Sequence, residues 1–150
     1  MEIRPPVVAL IWLLASLAGD RLLPAAWRER LALAGEARWS GLLPFAAGGA
    51  LGVWALRRFH ASGTTHEPFG VPSALVAAGP YRYTRSPMYL GVLLMLTGIA
   101  LLSGRLALLA APLGFLATMN AVQIPREERL LDQEFGESFR AYRRRVRRWL

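Results

Sequence analysis

Ser86–Pro125 reads SPMYLGVLLMLTGIALLSGRLALLAAPLGFLATMNAVQIP, forty residues that contain a single charge, Arg105. Ser86–Gly104 supplies 19 uncharged residues and Leu106–Pro125 another 20. A helix needs about 20 apolar residues to cross a bilayer. With only Arg105 between the two runs and Ser103-Gly104 before it, they are predicted to fold as a tight antiparallel helical hairpin. Such a hairpin leaves and returns to the same membrane face. Its two ends, Ser86–Tyr89 and Gln123–Glu128, therefore meet although they are about forty residues apart.

Two further uncharged runs lie upstream, Pro5–Gly19 of 15 residues and Ser40–Leu56 of 17. The first is short, but Arg4 and the Asp20-Arg21 pair flank it, and long side chains reach back to the interfaces. Arg4, the apolar stretch and Ser16-Leu17-Ala18 before Gly19 also fit a cleavable signal peptide. The three spans that follow need a packing neighbour, which favours a retained helix. In the second run Gly48 and Gly52, with Gly49 and Ala50 between them, offer a small-residue face for close helix approach. After Pro125 the apolar residues Leu131, Phe135, Phe139, Tyr142, Val146 and Trp149 recur at steps of three and four opposite an arginine-rich face. Pro125, Glu127 and Glu128 suit the start of that helix. The expected fold is all-α, an integral membrane bundle of about four transmembrane helices plus a C-terminal amphipathic helix lying along the interface. Residues 1–150 are expected to form a single domain, with 1–59 giving two N-terminal spans and 60–150 a loop, the hairpin and the last helix.

Composition agrees with that class: 54% of residues are hydrophobic and the mean hydropathy is +0.31. Every basic residue is arginine, and six of the last eleven residues are Arg140, Arg143, Arg144, Arg145, Arg147 and Arg148. A basic tail beside apolar spans points to anionic membrane lipids and away from nucleic acid. The absence of cysteine excludes disulfides, thiolate metal sites and a cysteine nucleophile, and two histidines make a histidine-rich metal site a poor expectation. Arg57, Arg58, Arg82, Arg85 and the C-terminal cluster fall on one side if the spans alternate, whereas the segment from Asp20 to Arg38 carries a net charge of only +1. The arginine-rich side is then cytoplasmic.

Two polar clusters exceed what membrane packing asks for, the loop from His60 to Gly91 and the stretch from Gln123 to Glu128. Arg85 and Glu127 flank the expected meeting point with opposite charges, and Tyr81, Tyr83 and Tyr89 offer hydroxyls and flat faces. Each feature has an ordinary explanation: an interfacial aromatic belt for Tyr83 and Arg82, a preorganised first turn for Pro87, a helix-dipole partner for Glu127-Glu128. Their convergence on one spot favours a pocket.

Gly79–Gly91, GPYRYTRSPMYLG, followed about thirty-five residues later by EERLLDQEFGESFRAYRRRVRRW, resembles the isoprenylcysteine carboxyl methyltransferase and phospholipid N-methyltransferase superfamily. These are small integral-membrane enzymes that use S-adenosyl-L-methionine. The resemblance covers roughly residues 60 to 149, while residues 1 to 59 contribute only compatible spans. It implies a cofactor pocket built from His66, the Ser73-Ala74-Leu75-Val76 segment, Tyr81, Ser86, Pro87, Met88, Tyr89 and Glu127. Ser86 stands where the family usually has histidine or asparagine. Gln123 stands where the prenylcysteine branch has a substrate-contacting arginine.

The resemblance therefore implies S-adenosylmethionine-dependent methyl transfer to a lipophilic acceptor, a carboxylate, amine, thiol or hydroxyl; the charge placement puts it at the cytoplasmic face, and the all-arginine basic set suits a bacterial inner membrane. Methyl transfer from a sulfonium needs alignment more than acid–base chemistry, and alignment supplies roughly 7–11 kcal/mol in favourable cases. Arg85 would orient an acidic acceptor or a lipid phosphate, and Glu127 or Glu128 would stabilise the charge of an amine. Two alternatives stand beside this reading, an NADPH-dependent membrane lipid reductase of related architecture and a non-catalytic lipid-binding protein. The motif Ser86-Pro87-Met88-Tyr89 favours methyl transfer over reduction. Oligomeric state is left open.

Overall fold

The computed structural model describes residues 4–33, 35–61 and 75–150. Its helices are α1 (Pro5–Leu22), α2 (Ala25–Arg30), α3 (Leu42–Ala61), α4 (Pro87–Leu102), α5 (Ala110–Thr118) and α6 (Ile124–Arg145). Short 3-10 turns at Gly35–Gly41, Gly79–Arg82 and Leu106–Leu109 lead toward α3, α4 and α5, and a π turn at Met119–Gln123 joins α5 to α6. No strand occurs among the described residues.

Among the described residues three helical runs are long and apolar enough to cross a membrane: Pro5–Leu22, Gly35–Ala61 and Leu106–Arg145. The helical bundle is as expected, and of its expected spans α4 is the shorter apolar helix, 16 residues against a 19-residue apolar run. Pro87 opens α4, and Ser103 with Gly104, at φ +70°, closes it. The outward faces of the long helices are apolar. Val7, Leu10, Ile11 and Leu14 on α1, Leu43, Val53 and Trp54 on α3, and Leu113 on α5 are exposed. Such a surface is stable against lipid and a liability in water.

The inward faces explain the pairing. Helix α3, together with the 3-10 turn that leads into it, runs antiparallel to α4 through two glycine crossings, Gly41 of the turn against Gly98 and Gly48 of α3 against Gly91. A Cβ on Gly48 would lie 2.5 Å from the Gly91 carbonyl oxygen. Of the small-residue face expected from sequence, Gly48 and Gly52 both take the approach, since a Cβ on Gly91 would lie 2.8 Å from Gly48 O and 3.2 Å from Gly52 N, whereas a Cβ at Gly49 would meet open space. A Gly91→Leu substitution should therefore separate the pair and destabilise the fold by ~1–3 kcal/mol or more. A lowered midpoint of thermal unfolding in detergent, with Gly49→Leu close to neutral, is the expected observation.

On α1, Val8, Trp12, Ser16 and Asp20 form the inward line. The Trp12 ring lies on Gly114, and its Nε1 donates to Thr118 Oγ1 at 3.0 Å. At the end of the line Asp20 Oδ2 accepts from Arg105 Nη1 at 2.9 Å. The segment after α2 is tied to the same turn, since Leu33 N donates to Gly104 O and Leu106 N to Leu31 O, each at 2.8 Å. The other end of the bundle gathers the end of α3, the start of α4 and the whole of α6; there the Arg58 side chain lies against Gly79 and Arg85 N bonds Arg147 O. The hairpin ends meet as expected.

The last helix departs from expectation. In place of one interfacial rod, α6 turns back on itself at Gly136 (φ 47°, ψ −120°), a conformation that glycine tolerates and residues with a Cβ avoid. Asp132 pairs with Arg140 at 2.9 Å, Glu128 with Arg148 at 2.9 Å, and Asn120 with Trp149 at 3.1 Å. In a straight helix Glu128 and Arg148 would be about 30 Å apart. The apolar stripe is real, but it folds on itself: Leu131 and Phe135 pack against Phe139, Tyr142 and Val146. The start of the helix is as expected, with Pro125 and Glu127 in the first turn of α6. The π turn carries it continuously out of α5 and ends two residues before Pro125, which cannot donate a backbone bond.

Candidate active site

Where the hairpin ends meet, two acidic residues adjacent in sequence take different partners. Tyr89, in the first turn of α4, donates its hydroxyl to Glu127 Oε1, and Gln123 Nε2 donates to the same oxygen at 2.8 Å. Tyr89 is held from behind by an edge-on contact with Phe115, ring centroids 6.4 Å apart. Gln123 is buried by the π turn that aims it inward. With Oε1 doubly bonded, Oε2 of Glu127 has no hydrogen-bond partner among the described residues.

Glu128 faces the other way, into a cationic cluster. Its Oε1 accepts from Arg85 Nη1 at 2.7 Å and its Oε2 from Arg148 Nη2 at 2.9 Å. The Arg85 and Glu128 side chains are only 12% and 13% exposed. Burial lowers the affinity of Arg85 for its proton, and the Glu128 carboxylate opposes that shift. Arg85 Nε is buried with no hydrogen-bond partner. Arg85 and Glu127 stand on two flanks with opposite charges, but they do not pair: Arg85 is paired with Glu128, and Glu127 belongs to the Tyr89 cluster. Neighbouring helical positions point about 100° apart, so one glutamate cannot serve both.

The remaining expected residues divide. Tyr81 sits in the 3-10 turn with its ring partly buried; its carbonyl accepts from Tyr142 OH at 2.7 Å. Burial, together with Tyr142 and Glu127 nearby, raises its phenol well above the usual value, so it remains a neutral hydroxyl. Ser86 is buried, makes no side-chain cap for α4, and donates its backbone N–H to Thr84 Oγ1 at 3.2 Å. Pro87 is fully buried, and Met88 is half-buried. Leu75 packs on the Phe139–Tyr142–Val146 cluster, an apolar contact that holds the loop to α6. Val76 is half-buried beside it in sequence. Tyr83 is 67% exposed and stands outside the cluster. His66, Ser73 and Ala74 lie outside the described residues.

Sequence reasoning missed the contribution of the C-terminal tail. After α6 ends at Arg145 the chain extends through Val146 and straps across the site. Arg147 O accepts from Arg85 N at 2.9 Å and Arg148 O from Thr84 Oγ1 at 2.8 Å. Trp149 packs beside Tyr89 on the core of Val8, Leu96, Phe115, Met119 and Ile124. Asn120, from the π turn, accepts from both Trp149 Nε1 and Arg148 Nη1. Gly136 inside an otherwise helix-favouring stretch was the available signal.

This geometry, a short polar segment opening a helical hairpin and a Glu-Glu pair returned by its far end, lies within a matched family segment. The family model described as phospholipid methyltransferase matches residues 37–138. The chain belongs to the phospholipid methyltransferase family. The family match contains Tyr81, Arg85, Tyr89, Gln123, Glu127 and Glu128 and ends before Tyr142, Arg148 and Trp149. The resemblance read from Gly79–Gly91 is thereby borne out at family level. An uncharacterized protein of Haemophilus influenzae is 40% identical over 63 residues, 42% of this chain and the full length of that relative. No solved structure matches the chain.

Proposed function

We propose that this membrane protein of the phospholipid methyltransferase family transfers a methyl group from S-adenosylmethionine to a lipophilic acceptor, at the end of the bundle where α4 and α6 begin. The observation that carries the reading is the Tyr89–Glu127–Gln123 cluster, which joins the two ends of the hairpin and leaves one carboxylate oxygen open. The donor set suits the cofactor: Glu127 Oε2 is an acceptor for an ammonium or ribose hydroxyl, and the buried Arg85 Nε–H is an unfilled donor for an oxyanion. When bound, S-adenosylmethionine supplies a methyl group activated on a sulfonium.

The protein's own work is binding, orientation and exclusion of water. Tyr89 and Gln123 fix the rotamer of Glu127, so its open oxygen is preorganised. Tyr81 contributes a neutral hydroxyl and a flat face. Arg85, steadied by Glu128, orients an acidic acceptor or a phosphate, and for an amine acceptor Glu127 or Glu128 offsets the developing positive charge. The lipophilic acceptor enters from the bilayer between the helices, and the arginine-rich end faces the cytoplasm of a bacterial inner membrane by the positive-inside bias.

Incubating membranes that contain the protein with methyl-labelled S-adenosylmethionine tests the reading. Label should appear in one extractable lipid species and be absent with Glu127→Ala. Label confined to the aqueous phase in both samples would overturn it.

A further inference from the structure

We propose that the opposite end of the bundle carries a second, non-catalytic site, which binds the headgroup of a zwitterionic phospholipid in the far leaflet. A cleft of about 400 Å³ opens there, lined by Asp20, Arg28 and Glu29 and by the Ser103-Gly104-Arg105 turn. Its walls are fixed. The Asp20–Arg105 pair closes one side at 2.9 Å, and the two backbone bonds between residues 31–33 and 104–106 hold the other.

The charges lining the cleft are two carboxylates and two guanidiniums, which cancel. They are unevenly satisfied. Asp20 and Arg105 neutralise each other, but the side chains of Arg28 and Glu29 make no ion pair or hydrogen bond among the described residues. As neighbours on a helix they point about 100° apart and cannot pair with one another. A ligand carrying both signs can meet both. An anionic headgroup would bring a charge that the balanced cleft does not compensate. A zwitterion sets its phosphate against Arg28 and its cationic nitrogen against Glu29.

The position of the cleft names the source of that headgroup. Trp27 and Trp39 are about half exposed at this end, and each has an arginine over its ring, Arg30 at 5.7 Å and Arg38 at 5.2 Å. Tryptophan and arginine in that arrangement mark headgroup depth. Leu22, Leu42 and Leu43 are exposed at the same level, where acyl chains would run.

Lipid titration of the purified full-length protein in detergent, read by native mass spectrometry, tests this site apart from the proposed methyl transfer. Phosphatidylcholine is the probe because its quaternary nitrogen cannot accept a methyl group. Phosphatidylglycerol with the same chains and soluble phosphocholine are the comparisons. Phosphatidylcholine should bind at least about tenfold more tightly than either, and the Arg28→Ala/Glu29→Ala double variant should abolish that preference. Both residues are exposed, so the variant should keep its helical circular dichroism and its methyl transfer. Equal binding of the two lipids, or a preference that survives the double substitution, would overturn the site. Soluble phosphocholine binding as tightly as the lipid would overturn the lipid assignment.

Discussion

Replacing Glu127 by alanine should weaken S-adenosylmethionine binding by about 100-fold and remove methyl transfer. The side chain accepts hydrogen bonds from Tyr89 and Gln123 and, in the proposed complex, one or two more from the cofactor. Hydrogen bonds to a charged group contribute about 1.5–3 kcal/mol each, and the substitution also leaves Tyr89 and Gln123 without their acceptor. Glu127→Gln keeps the size of the side chain and loses its charge, so its loss should be smaller, about tenfold. Tyr89→Phe removes one positioning bond and should cost less than tenfold. Isothermal titration of the three variants measures the order directly. A Glu127→Ala protein that binds the cofactor as the unsubstituted chain does would remove the central assignment.

The second large effect is expected from the tail, which lies beyond the segment that identifies the family. Arg148→Ala strips Glu128 of one of its two cationic partners and Asn120 of one donor. Leaving a buried carboxylate short of a partner costs about 3–5 kcal/mol when the pair is fully buried. Here Glu128 keeps Arg85 as a partner and Arg148 is 30% exposed, so the expected loss is smaller, about 1.5–3 kcal/mol. Ending the chain at Arg145 goes further, since it also deletes Val146 and Trp149 from the apolar clusters and the two carbonyls that accept from Arg85 N and Thr84 Oγ1. The truncated protein should lose its cooperative thermal unfolding together with cofactor binding. Arg148→Lys, which keeps the charge without the two-pronged geometry, should restore part of the stability. Unchanged melting of the truncated chain would show that the strap holds nothing.

Much of this site was legible in the run lengths. Two apolar stretches separated by one arginine fix a hairpin, and a hairpin obliges Tyr89 and Glu127 to meet. The division of labour between Glu127 and Glu128 was not legible, because both lie in the first turns of one helix and composition does not say which of two faces 100° apart meets Arg85. The folding back of α6 was hidden for a different reason. Leu131, Phe135, Phe139, Tyr142 and Val146 keep helical spacing on both sides of Gly136, so the same stripe serves a straight rod or a reversed pair. Only the glycine distinguishes them, through a backbone conformation that the periodicity of its neighbours does not report. The glycine face on α3 was visible as a composition, while the selection of Gly48 over Gly49 depended on where Gly91 approaches.

Ligand-dependent stabilisation of the purified protein tests the central claim most directly. Thermal unfolding in detergent is followed with S-adenosylmethionine, with NADPH and with neither. The account predicts that S-adenosylmethionine raises the midpoint in a concentration-dependent way, that NADPH does not, and that Glu127→Ala abolishes the rise. Stabilisation by NADPH alone, or by neither compound, would contradict it.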